Sequence, residues 1–334
     1  MKKLLFLIGA SCLVMNAFSQ TAGDYRSKTT GNWNVNGTWE RYNGTAWVAA
    51  TATPTSADGV ITIQSGHNVT NTTSVTVDQV VVNSGGTLTI SGDMVVNNGA
   101  GTDLSVNGTL SLTYGVVSGA GIANIASTFN WTGGTLNIAT TVTAAATANL
   151  NGGEVILGNT LTNNGTINWS SSYFSFNGGT LVNNGTLNNT GNGYLYKYST
   201  GAISNNSGAT FKKLTGTGVT YSYVDINNTG TIDVQTGTFT VYTDTLTNSS
   251  VINIAAAASF TNSYVCIFNS GTSVTGAGTL QQLTSYTLTI NIVLSLPSTI
   301  TLNLSGGNVI GIGSLNIPGP VNWNSGKVSI PVTF

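Results

Sequence analysis

The chain has 334 residues, of which 40% are hydrophobic and only 6% are charged, with nine Lys or Arg against ten Asp or Glu. Such a neutral chain lacks the basic patches that bind nucleic acid or anionic membrane surfaces, so the composition excludes a nucleic-acid-binding protein. Recurrent Val, Ile and Leu supply enough apolar surface for a folded core, while abundant Gly, Asn, Thr and Ser favour many short strands joined by tight turns.

The first residues have the pattern of a secretory signal peptide. Lys2 and Lys3 form a positive segment, residues 4–14 are an apolar run too short to span a bilayer, and residues 17–19 give a small-x-small cleavage site. We expect cleavage before Gln20, which predicts a mature protein that is extracellular or displayed on the outer-membrane cell surface. No later segment is apolar enough to predict a membrane span.

Residues 20–74 differ from the rest of the chain and are predicted to form an N-terminal Trp-rich β cap module. They contain both arginines of the chain and three of its tryptophans, which are Trp33, Trp39 and Trp47. The alternation of apolar and polar residues at 60–63 predicts a strand, and a Gly-containing turn separates it from a second strand that begins at Val69.

From about residue 75 onward the chain is periodic. Units such as TLTNNGTI recur every 20 to 22 residues, and the first Asn of successive units is Asn163, Asn183, Asn205, Asn227 and Asn248. An aromatic series has nearly the same period and consists of Phe176, Tyr198, Tyr221, Tyr242, Tyr264 and Tyr286. Two residue types that share one period indicate a solenoid in which each repeat is one turn.

The period predicts an all-β fold, a right-handed parallel β-helix with rungs of about 22 residues. Such a rung accommodates three strands of four to five residues, each paired in parallel with the equivalent strand one rung below. Asn is expected at a fixed turn position because it tolerates the left-handed backbone conformation and because stacked amides can hydrogen-bond from rung to rung. An antiparallel sandwich would have no reason to repeat its turn chemistry at this period.

The β-helix is predicted to cover residues 75–334 and to be cut short at its C-terminus. The motif NWNSGKVSI, which begins at Asn322, echoes NWTGGTLNI, which begins at Asn130. A solenoid that ends this soon after a repeat motif would leave a strand edge uncovered. Either the chain is a fragment of a longer protein or its C-terminus is covered by another element, and we favour the fragment.

Four features of the chain carry a resemblance to known bacterial surface proteins. They are the pair Trp33 and Trp39, the run Pro54-x3-Asp58-x-Val60, the run Gly66-His67-x-Val69, and FNWTGGTLNI from Phe129. The segment with the first three features resembles the N-terminal module of large surface proteins secreted by type IX systems, and it is similar to a G8 domain. The resemblance implies a secreted, commonly adhesive β-helix. Some proteins with that domain act on hyaluronan, but no catalytic motif can be carried over residue by residue.

The inventory of ionisable residues predicts a protein that is not an enzyme. Beyond Asp103 the only acids are Glu154, Asp225, Asp233 and Asp244. Glycan-degrading enzymes need clustered carboxylates, and only Asp225 and Asp244 are separated by about one rung and so could stack; we favour the interpretation that both are solvated surface acids. A groove that also gathered Lys212 would favour an enzyme. His67 is the only histidine and is expected in a turn of the cap, so neither a catalytic triad nor a metal site is predicted, and no cofactor.

One group of tyrosines is the candidate binding site, through stacking on sugar rings: Tyr194, Tyr196, Tyr198, Tyr221, Tyr223 and Tyr242. The alternative is an aromatic stack inside the solenoid, and we favour that alternative. The alternation leaves both open, because Tyr242 shares a strand face with Asp244, whereas Tyr264 shares one with Cys266. The apolar neighbours of that single mature cysteine predict a buried, unreactive thiol.

Three hypotheses for function follow in decreasing order of support. The first is a secreted or cell-surface structural and adhesive scaffold without catalytic activity. The second is a carbohydrate-binding β-helix that uses the tyrosines, and the third is a polysaccharide-degrading enzyme. The expected partners are extracellular polysaccharide or other surface proteins. An outward-facing group of tyrosines would favour the second hypothesis over the first.

Overall fold

The computed structural model describes residues 20–283 and 285–334, so the predicted signal peptide lies outside the described residues. The fold prediction is confirmed, because parallel strands stack into an all-β solenoid of about 14 turns. A rung contains about 20 residues, slightly fewer than the predicted 22. Within the described part of the chain no helix is long and apolar enough to cross a bilayer.

Each rung contributes one strand to each of three faces, which the chain visits in the order A, B, C. Strands of four residues dominate because turns rich in Gly, Asn and Ser end many of the short alternating runs. Face A consists of Tyr25–Ser27, Ile61–Ile63, Val80–Val82, Leu104–Val106, Thr160–Asn163, Thr180–Asn183, Ala202–Asn205, Asp225–Asn228, Thr245–Asn248, Val265–Phe268 and Thr287–Ile290.

Face B is the longest uninterrupted stack. It consists of Gly31–Asn32, Asn68–Asn71, Thr87–Ile90, Thr109–Leu112, Thr128–Trp131, Thr147–Leu150, Thr166–Trp169, Thr186–Asn189, Thr210–Lys213, Thr231–Val234, Val251–Ile254 and Ser273–Gly276. A three-stranded sheet follows it toward the C-terminus and consists of Val293–Ser295, Ser314–Asn316 and Val332–Thr333.

Face C lies between faces B and A along the chain. It consists of Val75–Val77, Met94–Val96, Glu154–Leu157, Tyr173–Phe176, Tyr194–Lys197, Val219–Ser222, Thr238–Val241, Ser259–Asn262 and Thr279–Gln282. Four longer strands run through the corner from face C to face A and join the two faces into one sheet: Val116–Ile125, Thr135–Val142, Thr301–Ile310 and Val321–Val328.

The N-terminal end of the core is closed by two tryptophans. Trp39–Tyr42 pairs antiparallel with both Tyr25–Ser27 and Trp47–Ala49, after a short 3-10 turn at Asn36–Thr38. The rings of Trp33 and Trp39 are buried and meet edge to face, with 4.9 Å between their centroids. Parallel pairing already joins Tyr25–Ser27 to Ile61–Ile63, so stacking begins within the segment predicted as the cap.

In most strands, alternate residues point into a continuous apolar core. Large rings fill its middle, where Phe174 contacts Trp131, Trp169 and Phe176 at centroid distances of 4.8 to 6.2 Å. Each buried side chain of this size contributes roughly 1.5–3 kcal/mol to stability. Cys266 is also fully buried, which confirms the prediction, and burial raises the pKa of its thiol.

A ladder of buried amides runs along the corner where face A ends. Nδ2 of each Asn donates to Oδ1 of the next at 2.6 to 2.7 Å, through Asn163, Asn183, Asn205, Asn228 and Asn248. The predicted bonding from rung to rung is confirmed, but Asn228 takes the place predicted for Asn227. The prediction of a left-handed conformation was wrong, since the non-Gly residues with positive φ in the described chain are Ala257 and Ser285. Asn ends these strands because its side chain bonds inward.

Candidate functional site

Seven tyrosines form one outward-facing surface, here called the tyrosine patch, on four consecutive rungs of face C. Its members are Tyr173, Tyr194, Tyr196, Tyr198, Tyr221, Tyr223 and Tyr242. All seven are at least partly exposed, and the most exposed is Tyr198 at 55%. The favoured interpretation, an aromatic stack inside the solenoid, was therefore wrong. The strand period of two explains the outcome, because Leu195 points into the core and turns Tyr194 and Tyr196 outward.

The first column of the patch is a pile of parallel rings. Tyr173, Tyr194 and Tyr221 are register partners on successive rungs. Their centroids are 5.0 and 5.4 Å apart and their planes differ by only 16° and 11°. Because rungs repeat at ~4.8 Å, identical aromatic residues in one column stack on each other. Their faces are therefore covered by neighbours, and their edges and hydroxyls point to solvent.

The second column is less regular. Tyr196 and Tyr223 have centroids 6.0 Å apart, and Tyr223 and Tyr242 5.0 Å, with planes tilted by more than 50° in both pairs. Tyr242 also meets Tyr221 edge to face at 86° and so ends the pile. Tilted rings leave part of each face open, and Tyr242 is 43% exposed.

Tyr198 lies across the surface instead of standing upright on it. Its backbone belongs to the rung of Tyr194, yet its hydroxyl donates to Oε1 of Glu154, two rungs earlier, at 2.9 Å. The same oxygen accepts a hydrogen bond from Ser175. The Tyr198 ring stands at 81° to that of Tyr196. The hydrogen bond to Glu154, and then burial, raise the pKa of Tyr198. A flat ring held at its hydroxyl, with an upright ring beside it, offers an open aromatic face.

Charged groups occupy the corner beside the patch. Lys197 Nζ lies 2.5 Å from an oxygen of Asp244 and 4.0 Å from one of Asp225. The predicted proximity of these two acids is thus present, but the cation between them is Lys197. Lys212 is not gathered there, because it points outward from face B, in register with Asp233. Asp225, Asp244 and Lys212, whose assembly in one groove would have favoured an enzyme, are therefore not gathered together.

Sequence reasoning missed three residues of this surface, namely Tyr173, Glu154 and Lys197. Tyr173 precedes Tyr194 by one rung, but the aromatic series was built on Phe176, which is buried in the core. That series is not one column, since Tyr221 pairs with Tyr194 and not with Tyr198. Aligning Tyr173 and Tyr194 on their shared Tyr-apolar-x pattern would have found the first column.

His67, the single histidine, lies apart from the patch. His67 is in a turn near the N-terminal end, where its Nδ1 is hydrogen-bonded to the Ser27 hydroxyl at 2.8 Å. Across residues 20–283 and 285–334, no three His, Cys, Asp or Glu side chains are grouped so that they could hold a metal ion.

No family model, curated protein or solved structure matches this chain. The tyrosine patch offers aromatic faces at Tyr198 and Tyr242, a row of phenolic hydroxyls, and an ion pair at its margin. Aromatic faces next to hydroxyl and charged groups suit ligands with alternating apolar faces and hydroxyls.

Proposed function

We propose that this chain is a secreted or cell-surface scaffold with a structural and adhesive role and without catalytic activity. The observation that carries the proposal is the stack of about 14 turns, in which successive rungs pair in parallel on three faces. With strands ~4.8 Å apart, such a stack is ~65 Å long. Its hydrogen bonds lie along the long axis and make it a stiff spacer, which holds a binding surface away from its attachment point.

Export is part of the same proposal. Its supports are the signal-peptide pattern before Gln20 and the resemblance of residues 31–69 to the G8-like module of type IX-secreted proteins. The full chain, produced in a Gram-negative host, should be recovered outside the cytoplasm with Gln20 as its first residue. A Leu7→Arg variant, which interrupts the apolar run, serves as the control and should stay inside. Recovery of the unchanged chain from the cytoplasm with Met1 intact would contradict the proposal.

A second candidate function, carbohydrate binding, is favoured by the outward direction of the tyrosine patch. Sugar rings have apolar faces that pack on aromatic rings and hydroxyls that bond to polar neighbours. Tyr198 and Tyr242 are the two most exposed members of the patch. We propose that the rings of Tyr198 and Tyr242 contact the sugar. The stacked column of the patch forms the surface between these two rings.

A glycan array with the mature chain tests this candidate. Tyr198→Ala and Tyr242→Ala should each weaken binding about tenfold, as expected for loss of one aromatic contact of roughly 1.4 kcal/mol. Tyr264→Ala is the matched control, because Tyr264 is 38% exposed but lies outside the patch. Equal binding by all variants would reject the patch as the site. Cleavage of a bound glycan would instead support the third hypothesis, an enzyme, and overturn the non-catalytic part of the proposal.

A further inference from the structure

A groove lies at the N-terminal end of face A. It is distant in sequence from the tyrosine patch and lies on a different face. Its volume is about 680 Å³, within the range of roughly 300–1,000 Å³ that is typical of small-molecule sites. Trp47 and Arg26 form one wall, and the outward side chains of the first rungs form the floor. No expectation from the sequence concerned this surface.

The floor consists of two outward columns. In the first, Thr62 is the register partner of Arg26 and is followed by Val81 one rung later. In the second, Asn83 follows directly after Val80–Val82, and Asn107 occupies the same position one rung later, after Leu104–Val106. Hydroxyl, methyl and amide groups therefore line the floor in fixed positions at the spacing of the rungs.

The amides of the second column behave differently from other stacked asparagines of this solenoid. Asn149 donates to Asn130 at 3.0 Å, and Asn184 donates to Asn164 at 2.9 Å, each across one rung. The side chains of Asn83 and Asn107 make no hydrogen bond to any residue in 20–283 or 285–334. Each carries two donor hydrogens and an acceptor oxygen, so the groove floor presents uncommitted groups of both kinds.

The charges that line the groove are compensated from within. Arg26 bonds to Glu40 at 2.8 to 2.9 Å, and its guanidinium lies over the ring of Trp47, 4.4 Å from the centroid. The carboxylate of Asp24 accepts the backbone N–H groups of Thr21 and Val60. A cationic ligand would be repelled by Arg26, and an anionic ligand by Asp24 or Glu40. The groove therefore favours a neutral polar ligand.

We propose that this groove binds a short neutral oligosaccharide. Sugar hydroxyls bond to the amides of Asn83 and Asn107 and to the hydroxyl of Thr62, while the apolar face of a ring packs on Val81. The partly exposed side chain of Trp47 adds apolar surface at the wall.

Titration of the mature chain with cello- and malto-oligosaccharides, with an oligogalacturonide as the acidic comparison, tests the proposal. The double variant Asn83→Ala/Asn107→Ala should lose at least tenfold in affinity for the neutral ligand, since it loses two amide hydrogen-bonding groups. Asn184→Ala/Asn206→Ala removes two exposed amides elsewhere and should bind as the wild type does. Both pairs lie on the outer surface, so equal melting temperatures establish that the fold is intact.

Three outcomes would overturn the proposal: no neutral oligosaccharide bound, unchanged affinity in the Asn83/Asn107 variant, or binding of the oligogalacturonide alone. The side-chain amide NMR signals of Asn83 and Asn107 should shift during titration, and static signals would contradict it independently of any variant. Tyr198→Ala should leave this binding unchanged, so failure of the tyrosine patch as a site is distinguishable from failure of the groove.

Discussion

Asparagine occupies two kinds of column in this solenoid, and they differ in what the amide contributes to stability. In the buried ladder both hydrogens of each amide are used: Asn205 donates to Asn228 at 2.7 Å and to the carbonyl of Thr231 at 3.0 Å. Asn206, the next residue, donates to Asn184 at 2.7 Å on the exposed surface, where water competes for the same groups. Only the buried column should therefore carry a large energetic penalty when interrupted.

Asn205→Ala should destabilise the fold by about 2–4 kcal/mol, because it leaves the Asn183 donor and the Asn228 acceptor buried and unpaired. Asn206→Ala, its neighbour on the surface, should change stability by less than about 0.5 kcal/mol. Chemical denaturation followed by circular dichroism measures both. Similar losses of unfolding free energy in the two variants would show that the buried ladder contributes no more to stability than the exposed amides do.

Burial of Lys213 predicts a contribution to stability that depends on pH. Its side chain points inward from face B, is 2% exposed, and bonds to the carbonyl of Gly191 at 3.1 Å. Burial lowers the pKa of Lys213 to about 8, whereas the unfolded chain keeps a value near 10.5. Between these values the unfolded state binds more protons, so this contribution to stability rises with pH.

From pH 8 to pH 9.5 the wild type should gain about 1–2 kcal/mol of stability relative to Lys213→Met. The comparison with the variant matters, because burial also raises the pKa of Cys266, which lowers stability over the same range in both proteins. Urea midpoints measured at several pH values give the difference. Parallel curves for the two proteins would mean that Lys213 is not deprotonated in the folded state.

The sequence allowed the amide ladder to be predicted but not the direction of the tyrosines, for a physical reason. Asn recurs where its amide has a partner one rung away, so the period of the sequence is enough to predict the ladder. The period does not distinguish Asn227 from its neighbour Asn228. On face C the inward positions include Thr220 and Ser222, which are polar yet fully buried. Thr220 is held by a hydrogen bond to Asn189 at 2.7 Å. The contrast between apolar and polar residues, on which the prediction of direction depends, is missing there.

The corners between strands depend on close backbone approach as much as on the strands themselves. At the corner from face A to face B, a methyl group on Gly185 would overlap the carbonyl oxygen of Gly165 in the rung below. Gly153, in an exposed turn, has open space around the same position. The repeated NNG motif therefore combines an inward amide with a residue small enough for the turns to stack.

Gly185→Ala should lower the melting temperature clearly, since the turn must shift away from its neighbour and weaken the adjacent ladder bonds. Gly153→Ala should leave stability unchanged or raise it by about 0.4–1 kcal/mol, because it reduces the entropy of the unfolded chain. Differential scanning calorimetry distinguishes the two. An unchanged melting temperature for Gly185→Ala would mean that the backbone at this corner can move away from the Gly165 carbonyl more easily than the packing indicates.

At the scale of the whole molecule, the strands of each rung pair only with those of the adjacent rungs, so stability is expected to be local. Hydrogen exchange of Asn205→Ala should accelerate in the strands of the altered and adjacent rungs, within about residues 180–250. The amides of Ile61–Ile63 and Thr87–Ile90, many rungs away, should exchange as in the wild type. Uniform acceleration along the chain would indicate a single cooperative unit and contradict this expectation.

The direction of the strands has a mechanical consequence. Strands run across the long axis, so tension between the two ends loads the hydrogen bonds of successive rungs in series, and the rungs should peel away one after another. Each rung of about 20 residues would release ~65 Å of extended chain. A tether built in this way yields by a succession of short extensions at similar force, and so dissipates a pull that would break a rigid attachment in one event.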